Sequence, residues 1–176
     1  MKKINWNEVK DAKEYDKLLP GGYICQITAV KDEPEKEYLK IEYDIADGKM
    51  KGHFKELYDN AGFWGGNFIK SYKEKAQPFF KAFLTAVGNS NSGFKFNDDE
   101  NTLRGKFVGL VLGEEEYRSN DGSVKTRIYV EEIHSIDRIK NGDYKVPQLK
   151  KLNIKNNTEP KTDDFVPLDD IDELPF

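Results

Sequence analysis

A chain of 176 residues, 34% charged and 12% aromatic, has room for one domain plus appendages, and its 11 Phe and 9 Tyr argue for a packed core where the charge content alone would suggest disorder. The single cysteine, Cys25, excludes an intrachain disulfide and a cysteine-based zinc site, and the lack of any long apolar run leads to the expectation of a soluble, cytoplasmic protein. The formal charge of −4 is unevenly held, because residues 158–176 carry −6 and the remainder is slightly basic at +2, so the overall acidity does not exclude a nucleic-acid partner.

Residues 3–19 hold Trp6, Val9, Ala12, Tyr15, Leu18 and Leu19 at mixed spacing, which predicts a short helix ended by Pro20-Gly21-Gly22. Residues 23–30 alternate and predict a strand; a charged turn over 31–36 follows. The second strand is cleaner: Leu39, Ile41, Tyr43 and Ile45 face one way, and Tyr38, Lys40, Glu42 and Asp44 the other. Asp47-Gly48 is a turn pair, and a third strand is expected over 52–58, with a bulge where the parities of Phe54 and Leu57 conflict. A glycine-rich loop over 59–67 precedes a helix. Ser71 and Glu74 fit a capping box there, Phe79, Phe80, Phe83, Leu84 and Val87 form an apolar stripe that reads as core, Pro78 either kinks the helix or sits in its first turn, and Gly88 is the expected cap. After a polar loop over 89–101, residues 107–112 are apolar on both parities, as in a central strand, and 114–117 carry it outwards. Ser119-Asn120-Asp121-Gly122 is a hairpin turn, and Val124, Thr126, Ile128 and Val130 alternate with polar residues in a last strand that Ile133, Ile136 and Ile139 extend or end in a bend.

Three strands, a helix and a hairpin is the β-β-β-α-β-β order of the OB-fold, a five-stranded barrel, with the helix plugging its open end. The domain is expected over 20–145, with an N-terminal extension over 1–19 and a linker and acidic tail over 146–176. Three prolines and no apolar periodicity in residues 158–176 predict disorder there. The apolar residues among those acids suit docking on a basic, apolar pocket of a partner, and Asp169, Asp170, Ile171, Asp172, Glu173, Leu174, Pro175 and Phe176 are the expected contact residues.

The run from Leu19 to Tyr23, Tyr38-Leu-Lys-Ile-Glu-Tyr43, the run from Phe80 to Gly88, and Leu103-Arg-Gly-Lys-Phe-Val108 together resemble a family of small phage-encoded OB-fold proteins that bind single-stranded DNA. The resemblance covers roughly residues 19–140 and rests on the order of short motifs. The acidic tail separately resembles the tips of bacterial and phage single-stranded-DNA-binding proteins, with Leu174 inserted where many such tips carry only acids and Ile. The resemblance implies a role in replication or recombination, without a cofactor and without catalysis.

Binding single strands without sequence preference requires cations along the phosphates and flat side chains on which bases stack. OB-folds present both on strands two and three and on the loops of the first and last hairpins. The expected contacts are Tyr38 and Lys40 on the second strand; Lys49, Lys51, His53 and Lys55 after it; Phe63 and Trp64 on the glycine-rich loop; and Tyr117, Arg118, Lys125, Arg127 and Tyr129 on the last hairpin. Each has a simpler structural reading: a solvated strand face for Lys125 and Arg127, cross-strand packing for Tyr38 and Tyr129, and loop aromatics tucked under their own loop. Enzyme signatures are missing from the sequence. His53 and His134 lie far apart, Gly62-Phe-Trp-Gly65-Gly66 lacks the Lys-Ser/Thr of a phosphate loop, and the acids at 98–100 and 114–116 are consecutive and do not converge. The expected partners are single-stranded DNA and replication or recombination proteins; a homo-oligomer is compatible with these features. The alternative is a protein–protein adaptor or recombination mediator on the same fold with little DNA affinity of its own.

Overall fold

The computed structural model describes residues 1–9 and 16–153. The expected tail disorder, the partner residues 169–176 and the middle of the expected N-terminal helix fall outside these. Residues 1–9 and 16–19 are not helical, with only a turn at 6–8, so the expected N-terminal helix is not seen on either side of that gap.

Five strands form one antiparallel sheet in the order β3-β2-β1-β4-β5: β1 Gly21–Glu33, β2 Tyr38–Ile45, β3 Asn67–Ser71, β4 Phe107–Arg118 and β5 Val124–His134. The sheet is not closed into a barrel, since β3 and β5 are both edge strands. Two of the expected elements are displaced. Residues 52–58 belong to a helix, α1 (His53–Ala61), and the third strand lies at β3, where a loop and the start of a helix were expected. The parity conflict of Phe54 and Leu57 is thus helical spacing rather than a bulge. Helix α1 begins after Gly52 and ends at Gly62, both with positive φ (75° and 68°). Its free amides at Phe54 and Lys55 are capped from a distance by the Asp44 carboxylate, at 2.9 and 3.1 Å.

Helix α2 (Gln77–Ser90) has Pro78 in its first turn. Ser71 accepts from the Lys73 amide instead of capping this helix. Asn91, rather than Gly88, ends it: its side-chain amide donates to the Val87 carbonyl at 2.8 Å and exchanges two bonds with the Phe107 backbone, tying the helix end to β4. Phe83 and Val87 are buried, whereas Phe79 is 44% exposed and is not a core residue.

The inner face of the sheet carries Cys25, Ile27, Leu39, Ile41, Tyr43, Ile45, Val108, Leu110 and Leu112, all buried with Phe83 and Leu103. Side chains of this kind contribute about 1.5–3 kcal/mol each on burial. Strand β4 is apolar on both parities because its other face is covered too. A short helix, α3 (Ile136–Lys140), lays Ile139 against Gly109, and Tyr144 lies against Gly22; a Cβ on either glycine would sit 2.4 Å from those side chains. Beyond α3 the chain remains attached to the sheet. The Lys150 amide donates to the Glu114 carbonyl at 3.0 Å, its carbonyl accepts from the Glu116 amide at 2.8 Å, and the Leu152 amide donates to the Glu116 carboxylate at 3.0 Å.

Candidate nucleic-acid interface

Sheet register assembles the first group of expected residues. On the outer face, Lys40 of β2 lies directly opposite Lys31 of β1 on one side and Ile69 of β3 on the other, and Tyr38 lies between Glu33 and Ser71. Like charges directly opposite are unfavourable in a sheet. The Lys31 ammonium is drawn to Glu33, its neighbour along the strand, which holds its pKa above the ordinary lysine value; that of Lys40 makes no ion pair with a described residue. Lys31 was not expected, since it reads as part of a charged turn; only the length of β1 places it beside Lys40.

The second group surrounds α1. Lys49 pairs with Asp16 at 3.2 Å and Lys55 with Asp59 at 2.7 Å, one helical turn on, while Lys51 stays exposed in the turn. The hydrogen bond to Asp59 raises the Lys55 pKa first, and its charge adds to this. The His53 ring packs edge-on to Phe54, with ring centres 5.1 Å apart. On the adjoining loop, Phe63 is 62% exposed. Trp64 is half-buried: its indole N–H donates to the Gly66 carbonyl at 3.0 Å and its ring meets Tyr58 edge-on at 6.2 Å. The loop makes this close turn because Gly66 leaves its Cα bare; a Cβ there would lie 2.3 Å from the Tyr43 carbonyl oxygen. Tyr58 is 52% exposed and, with Phe63, adds flat surface that the expected third strand concealed.

The third group lies on the β4–β5 hairpin. Register pairs Tyr117 with Lys125, Glu115 with Arg127, and Gly113 with Tyr129, so these side chains share one face, while Arg118, opposite Val124, belongs to the other. Arg127 pairs with Glu115 at 2.7 Å and its guanidinium lies 5.2 Å from the centre of the Tyr117 ring. Lys125 is 3.7 Å from Asp121. Tyr129 is not an open stacking surface. One side of the ring fills the space over Gly113, and the Lys150 ammonium stands 4.2 Å from the ring centre. Burial, then the Glu131 carboxylate, push its hydroxyl pKa up. Lys150 also reaches Glu131 at 2.8 Å, closing the strap of residues after α3 over this ring.

The three consecutive acids Glu114, Glu115 and Glu116 are used separately, on Lys17, Arg127 and the Leu152 amide. Among the described residues no group of three His, Cys, Asp or Glu side chains could hold a metal ion. His134 receives the Arg138 guanidinium on Nδ1 at 2.9 Å, so its Nε2–H donates to Glu132 at 2.7 Å. No helix among the described residues is long and apolar enough to cross a membrane. No family model matches the chain, and neither does any curated protein.

Proposed function

We propose that this chain is a single-stranded-DNA-binding protein of OB type, acting without sequence preference in phage replication or recombination and recruiting partner proteins through residues 169–176. The connectivity supports the OB reading: β1 pairs with both β2 and β4, β3 follows β2, and β5 follows β4. The barrel is left open between β3 and β5, and OB barrels are often partly open. The observation that carries the DNA reading is Lys31 directly opposite Lys40 on the solvent face of β1 and β2, beside Tyr38. Two lysines paired across the strands on an exposed face can each reach a phosphate laid along it, and Lys31 would exchange Glu33 for that contact. Phe63 and Tyr58, exposed near Lys51 and Lys55 in the chain, supply faces for unstacked bases, which duplex DNA does not offer.

The adaptor reading keeps one specific observation in its favour. Lys49, Lys55, Lys125 and Arg127 each already have a carboxylate partner, so less of the basic surface is free than the sequence suggests. Anisotropy of a labelled oligo-thymidine, measured against duplex of the same length over a salt series, separates the two. The coating reading requires single-strand binding that weakens steeply with salt, from counterion release. Absence of such binding, together with capture of a replication protein that needs residues 169–176, selects the adaptor.

A further inference from the structure

The two open sheet edges do not face bulk water on both sides. Between them lies a cleft of about 410 Å³, lined by Phe68 and Lys70 of β3, Phe79 and Phe83 of α2, and Val130 and Ile133 of β5. Its volume is within the range of ligand pockets, roughly 300–1,000 Å³. Its walls are mostly apolar, and the strand edges beside it have backbone groups that no neighbouring strand pairs. Lys70 is half-buried, that burial lowers its pKa, and it makes no ion pair with a described residue. The acids that line the same cleft are otherwise engaged, Glu131 by Lys150 at 2.8 Å and Glu132 by His134 at 2.7 Å. The cleft therefore offers apolar walls and one uncompensated cation.

We propose that this cleft is the docking site of the chain's own segment 163–171, with Phe165 against Phe79 and Phe83, the Asp164 carboxylate on the Lys70 ammonium, and the segment backbone along the open edge of β3. The sequence there, Asp163-Asp-Phe-Val-Pro-Leu-Asp-Asp-Ile171, places Phe165, Val166 and Leu168 between two pairs of acids, which complements an apolar cleft with a half-buried lysine. Reach is sufficient. The run from Asn153 to Phe165 extends to at most about 40 Å, against a radius of gyration of about 14 Å for a domain of this size. Pro167 limits backbone pairing to the residues before it, because it has no N–H to donate. The segment would fill the opening that keeps the sheet from closing. The proposal does not depend on DNA binding and is tested without DNA.

Full-length protein, half of it labelled with ¹⁵N, is treated with a carbodiimide, which joins an amine directly to a carboxylate in contact with it, and is then digested for mass spectrometry. The Lys150–Glu131 pair, at 2.8 Å, serves as the internal reference. The expected product joins Lys70 to Asp163 or Asp164 within molecules of one isotope. Phe165→Ala should reduce this product several-fold while leaving the Lys150–Glu131 product unchanged. The proposal is overturned if Lys70 is unreacted, if it joins only Glu131 or Glu132, if Phe165→Ala has no effect, or if the product is mixed in isotope, which would make the occupant a second copy.

Discussion

Replacing Lys40 by Gln tests the DNA reading where the structure commits most. Lys40 makes no ion pair with a described residue, so a bound phosphate takes its full charge, whereas Lys31 must first part from Glu33. Each phosphate neutralised on a single strand contributes about 0.7 to the slope of log K against log salt. Lys40→Gln should therefore lower the slope by about 0.7, so that the variant loses about 2.5-fold less affinity than the parent between 50 and 200 mM salt. Lys31→Gln should lower it by less. The same substitution removes a like-charge pair from the β1–β2 ladder, so the melting temperature should hold or rise slightly. The assay is oligo-thymidine anisotropy at four or more salt concentrations, with thermal unfolding of each variant alongside. An unchanged slope for Lys40→Gln, in a variant that melts like the parent, would refute the assignment of this face to the phosphate backbone.

The aromatic residues should divide by environment. Phe63→Ala, on an exposed ring, should cost about 1–3 kcal/mol of single-strand affinity with little change in stability, the range for loss of one stacked base. Tyr129→Ala should do the reverse, destabilising the domain through the space opened over Gly113 while leaving DNA affinity near that of the parent, read by urea unfolding and anisotropy together. Gly22→Ala should displace the Tyr144 ring and cost about 1–3 kcal/mol, seen as a lower urea midpoint with an unchanged denaturant slope. The Glu114 carboxyl is held below the usual carboxylate range, first by its hydrogen bond from Lys17. Its contribution is therefore present above the unfolded carboxylate value and lost as pH falls through the lower folded value. Urea unfolding followed across that acidic window should show stability falling with pH in the parent, and Glu114→Gln should flatten this dependence.

Local pattern was enough for the strands whose two faces differ. Leu39, Ile41, Tyr43 and Ile45 alternate with polar residues and are buried as their parity requires; the turn at Asp121-Gly122 and the burial of Phe83 and Val87 on the helical stripe, though not of Phe79, were equally legible, because each depends on neighbours in the chain. The uneven charge, with −6 in residues 158–176, is likewise a property of the sequence alone. What tertiary structure decided were the relations across the chain. Helix α1 stands where a strand was expected because Asp44 caps it across the Asp47-Gly48 turn, and β3 forms where Phe68 can meet Ile41. Lys31 joins Lys40 through strand register, and Tyr129 is closed off by Lys150, a side chain that reading along β5 does not bring near it. The site depends on these pairings because charge repulsion, stacking surface and burial are set by distance in space, and spacing along one strand determines only which face a side chain takes.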